Sequence, residues 1–209
     1  AALGDRADLA GPIRMAAPMS FGIKVLGQAL AEFMAQHPAV IIDLTLSDER
    51  HDLIAEGFDL ALRISPLSDS SLLARIIGPI AIHLVASPDY LRSAPKLHHP
   101  LDLSAHRLFG YGHRGTTRLL RLAREGEEAS VISNGPLFAN NGDVAVPMLL
   151  AGGGVALLPE FIVEQELADG RLVKILTDWQ VQQNFLHLLS PPSRLRPIRV
   201  RALGDFLEH

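Results

Sequence analysis

The chain has 209 residues, with 19 Lys plus Arg against 23 Asp plus Glu, a formal charge of −4 and no cysteine. A composition 48% apolar and 20% charged is that of a globular protein and excludes disorder, collagen and coiled coil. The lack of cysteine excludes disulfide scaffolds, thiolate zinc sites, iron–sulfur clusters and cysteine nucleophiles.

A chain of this size buries about 70% of its unfolded surface, enough for one large domain or two small ones. No run of about 18 uncharged apolar residues occurs, which excludes a helical membrane span. The segment Ala1 to Leu9 has neither the charged start nor the apolar middle of a signal peptide. The chain starts on Ala1 rather than Met, the expectation being a portion of a longer product; Leu207-Glu208-His209 is left out of the functional argument.

In chain order, Ile13–Ala17 reads as a strand that stops at Pro18, with Ser20 as N-cap of an amphipathic helix. Its apolar positions Val25, Leu26, Ala29, Leu30, Phe33 and Met34 recur at helical spacing up to His37-Pro38. The β-branched run Val40–Leu46 predicts a buried strand. Ser47 then opens a second helix over Asp48–Glu56, stopped by Gly57, and Asp59–Ile64 makes a third strand. A β-α-β-α-β unit implies parallel strands joined by right-handed crossovers.

Leu72–Ile77 and Ile80–Ala86 read as further strands, followed by a turn at Ser87-Pro88-Asp89. Leu103–His106 suggests a short helix and Leu108–Tyr111 a strand, while Thr117–Ala129 fits helix or strand equally. Asn140-Asn141-Gly142-Asp143 opens an apolar helix to Ala151 that carries Pro147, a residue that kinks a helix interior. After Gly152-Gly153-Gly154 come a strand at Val155–Leu158, a helix over Pro159–Asp169, strands at Leu172–Leu176 and Phe185–Ser190, and a last helix at Ile198–Leu207. The alternation predicts an α/β fold, with two similar lobes and a cleft between them.

Few motifs carry chemistry. The triple glycine follows a helix and precedes a strand, the reverse of a dinucleotide fingerprint, and no phosphate loop or nucleophile elbow occurs. The nine histidines lack metal-ligand spacing, and no paired acid and base is visible, so no metal, no cofactor and no enzyme activity are expected. Arg118, Arg121 and Arg124 would form a basic stripe on a helix or exposed positions on a strand; the acidic balance argues against direct DNA binding by this segment. Ser20, Ser47 and Asn140-Asn141-Gly142 each follow a strand and precede a helix. There, free N–H groups and the helix dipole favour an anion or polar ligand, which in open α/β sheets binds outside the carboxyl ends of the strands.

The order of several strings is similar to the effector-binding domain of LysR-type transcriptional regulators. They are Gly11-Pro12-Ile13-Arg14-Met15 with Pro18 to Gly22; Phe33 to Pro38; Asp52 to Arg63; Val85 to Leu91; Asn140-Asn141-Gly142 with Ala151 to Pro159; and Gly170-Arg171-Leu172-Val173. The Glu56-Gly57-Phe58-Asp59-Leu60-Ala61-Leu62-Arg63 and Ala86-Ser87-Pro88-Asp89-Tyr90-Leu91 strings resemble the large branch without a fixed aromatic-acid effector.

The resemblance implies two Rossmann-like lobes with an interlobe cleft, as in type 2 periplasmic binding proteins. Residues 1–10 would be the tail of a linker helix, 11–82 plus 191–209 lobe I, and 83–190 lobe II with the crossover strands. It further implies a bacterial sensor of a small-molecule effector, an organic acid being one candidate. Such a sensor would meet promoter DNA only through an absent N-terminal domain and assemble as a homodimer, or a tetramer at full length. By motif position Met19, Ser20, Ser47, Arg63, Ile64, Asn140 and Asn141 would line the effector site. Two departures are Pro18, where many relatives carry a hydroxyl, and Pro147. A solute-binding protein of a transporter would share the fold and is the alternative.

Overall fold

The structure is a computed structural model and describes residues 9–49, 52–66, 73–112, 119–192 and 196–208. Residues 1–8, Arg50, His51, Leu72, Thr117, Arg118 and His209, which entered the sequence reading, lie outside the described residues. The chain divides into one compact unit of Ala1–Pro79 with Phe185–His209 and a second of Ile80–Asn184. The division falls a few residues before the boundaries expected at 82/83 and 190/191.

The first unit opens with β1 (Ala10–Ala17), parallel to β2 (Ala39–Leu46) from Ala10↔Ala39 to Ala17↔Leu46. On its other side β1 pairs in parallel with β3 (Leu60–Ser65). The late strand β13 (Asn184–Ser190) runs antiparallel to β3, and β4 (Leu73–Ile80) closes the order β2-β1-β3-β13-β4.

Between β1 and β2 lies one continuous helical run: α1 (Met19–Phe21), a π-helical turn (Gly22–Leu26) and α2 (Gly27–Gln36). Its start is Met19, so Pro18 holds the N-cap position and Ser20, expected as the cap, is buried inside the first turn. The wide turn is marked by the Gly27 N–H bonding to the Gly22 carbonyl, five residues back. Phe33 is buried on α2 and packs its ring 4.7 Å from His37 and 5.3 Å from Phe206 of the C-terminal helix α6 (Ile198–Phe206). Arg75 ties β4 to the end of α6 through Asp205 and Glu208, each at 2.8 Å.

The helix expected over Asp48–Glu56 is not formed among the described residues, which show a bend at 48–49 and a turn at 53–57. Asp52 Oδ1 accepts from the Ile54 and Ala55 N–H groups, capping a single turn. Gly57, at φ +70°, ends it at once, so there is no room for a second.

The second unit holds β5 (Ile82–Ala86), flanked antiparallel by β10 (Val155–Pro159) and β11 (Val173–Lys174). Ser87 is not in a bare turn but caps α3 (Pro88–Ser93), its hydroxyl accepting from the Tyr90 N–H. A 3-10 helix covers Pro100–Ala105; Asp102 accepts from the His98 and His99 N–H groups, which holds its carboxyl below the ordinary value.

A short parallel pair, β6 (Gly110–Tyr111) with β9 (Phe138–Ala139), and helices α4 (Ala145–Leu150) and α5 (Glu160–Ala168) complete the layer around β5. Pro147 is the third residue of α4, where its missing N–H has no partner to lose, so it does not interrupt that helix. The ambiguous stretch is a hairpin, β7 (Leu119–Arg124) and β8 (Glu127–Ile132), turned at Glu125-Gly126 with both φ positive. A further strand, β12 (Gln180–Val181), pairs with β7. Arg121 and Arg124 therefore form no helical stripe. Arg124 lies over the Trp179 ring, 4.4 Å from its centroid, and bonds Asp178 at 2.7 Å.

His106 is buried beneath Tyr90, its Nδ1 3.1 Å from the Tyr90 hydroxyl and its Nε2 unpartnered. Burial pushes its pKa below the ordinary 6.5. The unfolded chain therefore takes up a proton first as pH falls, and stability contributed by neutral His106 is lost below about pH 6.5. The urea midpoint of the wild type should drop between pH 7.5 and 5, and His106→Asn, which can still bond Tyr90, should flatten that drop. Equal slopes would exclude His106 as its source.

Candidate functional site

In the first unit, the parallel strands β2, β1 and β3 all end in one direction, and the expected residues follow those ends. The Ser47 N–H bonds to the Ala17 carbonyl at 3.0 Å, so the chain leaves β2 directly beside the exit of β1. Arg63 and Ile64 stand two and three residues beyond Ala61, the partner of Ala16. Met19, Ser20, Ser47, Arg63 and Ile64 are thus brought to one edge of this sheet, with Met19 exposed, Ser20 buried, and Ser47, Arg63 and Ile64 half-buried. Gly22 permits the close seating of the helix start: a Cβ there would collide with Leu46 Cδ2.

Ser47 has a role other than the cap expected of it. Ser47 Oγ accepts from the Glu49 N–H at 3.1 Å, a local turn in place of a helix start. The helical run is capped by Asp48, whose Oδ1 accepts from the Met19 N–H at 3.1 Å. Sequence reasoning missed Asp48, placing it only as the first residue of the helix expected over Asp48–Glu56. The available signal was an acidic residue one step past a strand that ends level with a proline-started helix.

Asn140 and Asn141 belong to the second unit, between β9 and α4. Neither caps a helix, since α4 starts at Ala145 with Val144 in the N-cap position. Asn140 is exposed, and Asn141 Oδ1 accepts from the Asp143 N–H at 2.9 Å. A pocket of about 320 Å³ in that unit is lined by Ser87, Pro88, Asp89, Leu150, Gly170 and Arg171 and includes none of the expected residues. Its charges are paired, Asp89 with Arg92 and Arg171 with Glu166 and Asp169. Among the described residues no group of three His, Asp or Glu could hold a metal ion.

A family profile described as the LysR substrate binding domain matches residues 6–209. The chain belongs to the LysR-type transcriptional regulators. It is 35% identical to the HTH-type transcriptional regulator PtxR of Pseudomonas aeruginosa, over 100% of this chain and 68% of PtxR. A Haemophilus influenzae HTH-type transcriptional regulator is 33% identical over 94% of this chain and 68% of its own length. Among solved structures, the full-length LysR-type virulence activator AphB of Vibrio cholerae matches with a TM-score of 0.83 at 30% identity, covering 96% of this chain and 68% of AphB. The CrgA regulatory domain of Neisseria meningitidis matches with a TM-score of 0.80 at 23% identity over 96% and 98% of the two chains, a likeness of fold.

The fold is therefore the type 2 periplasmic-binding-protein-like fold of LysR-type regulatory domains. The chain is the effector-binding domain of a LysR-type transcriptional regulator. Its relatives regulate transcription, which sets aside the solute-binding protein of a transporter. No helix among the described residues is long and apolar enough to cross a membrane.

Proposed function

We propose that this domain binds a small-molecule effector without chemical turnover, through Met19, Ser20, Ser47, Arg63 and Ile64 of the first unit and Asn140 and Asn141 of the second. The observation that carries the reading is the Ser47 N–H to Ala17 carbonyl bond, which sets a hydroxyl, a helix start and an arginine-bearing strand at one sheet edge. Open α/β sheets place ligands outside such carboxyl ends. Met19 and Ile64 supply apolar contact and the polar side chains fix orientation.

The effector shifts the populations of the domain by binding one state better than another. The two units, with bounds near 11–82 plus 191–209 and 83–190, are regulatory lobes I and II. A homodimer, or a tetramer at full length, passes the shift to promoter DNA through a separate N-terminal domain, in the bacterial cytoplasm.

The test is a thermal-shift scan of the domain against organic acids, their amides, amines and neutral aromatic metabolites. A ligand at 100-fold its dissociation constant adds about 2.7 kcal/mol, a rise of roughly 5–10 °C for a chain of this size. Ser47→Ala should weaken the responding compound about three- to tenfold, the loss of one hydrogen bond. A responding compound whose affinity Ser47→Ala leaves untouched would remove Ser47 from the site.

A further inference from the structure

We infer that Asp48 selects the effector by charge: the end of the molecule lying against Met19 and Ser47 is uncharged or cationic, not a carboxylate or a phosphate. The inference rests on the effector-binding reading above and narrows it.

The first turn of a helix attracts anions because its N–H groups lack partners and its dipole is positive there. Here the leading N–H of the run already meets a carboxylate from within the chain. Pro18 has no N–H to offer, so the run's leading donor is Met19, and its N–H is bonded to the Asp48 carboxylate at 3.1 Å. The next backbone donor past this turn, Gly22, is spent on the Pro18 carbonyl at 2.8 Å. An anionic ligand end would have to approach beside a fixed carboxylate, with exposed Glu49 one residue further on. Ser47 accepts from the Glu49 N–H, and its hydroxyl proton can donate to any acceptor oxygen, so the selection by charge comes from Asp48. Like-charge juxtaposition is the usual way a site rejects a wrong ligand of the right size.

The test follows the Met19 and Ser20 amide resonances of the ¹⁵N-labelled domain during titration with sodium acetate, against sodium chloride at equal ionic strength. The wild type should show only the linear drift that chloride also gives. Asp48→Ala, which vacates the helix start, should show a saturable acetate response at least tenfold tighter than any in the wild type. Asp48→Asn, which keeps the shape and removes the charge, serves if Asp48→Ala fails to fold and should bind acetate at least threefold tighter than the wild type. A saturable acetate response in the wild type, or none in either variant, would overturn the inference. A flat compound panel together with a gained acetate site would leave the charge rule standing and remove the effector reading; a carboxylate effector bound equally by wild type and Asp48→Asn would do the reverse.

Discussion

Gly154→Ala should destabilise the domain by at least about 3 kcal/mol, lowering its melting temperature by roughly 6–12 °C. At φ +156° the position disfavours any side chain, and an added Cβ would collide with the Arg107 carbonyl oxygen. That oxygen accepts the Val155 N–H at 2.9 Å, and the Val155 carbonyl accepts the Phe109 N–H at 2.8 Å. The clash is therefore with backbone that cannot swing aside, and relieving it pulls β10 away from the segment that leads into β6. Gly152→Ala is the control. Its φ of +72° is close to the left-handed helical region and a Cβ there meets nothing within 4 Å, so only the backbone cost of about 1–2 kcal/mol applies. Comparable urea midpoints for the two variants would refute the steric account.

Phe33→Ala is the other large effect, at about 3–5 kcal/mol. Phe33 is 1% exposed and fills the space between α2 and α6, against Phe206 and His37. Removing the ring leaves a cavity that two helices held by other contacts cannot close: α6 is anchored by Arg75 to Asp205 and Glu208, and by Arg199 to the Pro12 carbonyl at 2.9 Å. Because α2 continues into the turn carrying Met19 and Ser20, the loss should also loosen any effector bound there. A stability within about 1 kcal/mol of the wild type, well short of the usual loss for a buried ring, would mean that the helices collapse onto the vacancy.

The strands of the first unit were legible because each has a clear physical mark, namely β-branched Val40–Leu46, the proline stop after Ala17, and the apolar run after Asp59, but Val40–Leu46 is an edge strand with Ile41 exposed and not the buried strand expected. Local bonding that leaves no periodic trace was not. Asp52 and Gly57 lie five residues apart, and capping and stopping act on the same turn, so a helix-like string yields only that turn. In the hairpin, Leu119, Leu120 and Leu122 satisfy helical spacing, but the Glu125-Gly126 turn decides for strands, since an adjacent pair with positive φ suits a two-residue hairpin loop. The candidate site was half legible. The alternation of strands and helices put Ser20 and Ser47 just past strand ends, where the Ser47 N–H bond to the Ala17 carbonyl also lies, whereas the role of Asp48 depends on a contact across 29 residues of sequence that no local pattern encodes.

The helix between β1 and β2 also explains why its apolar stripe was misjudged. Val25 and Met34 fit a regular period yet are exposed, while Phe21 and Leu26, five residues apart, are both buried. A π turn brings such a pair onto one side. The residues from Gly27 onward answer to the core, and those before Gly22 answer to the strand ends and Asp48. One helix thus answers to two sets of partners, one on each side of the wide turn. Losing a single residue from the wide turn would rotate Met19 and Ser20 by about 100° about the axis while Leu30 and Phe33 keep their places. A lineage of regulators could in this way acquire new specificities by small insertions and deletions, without redesigning the interior.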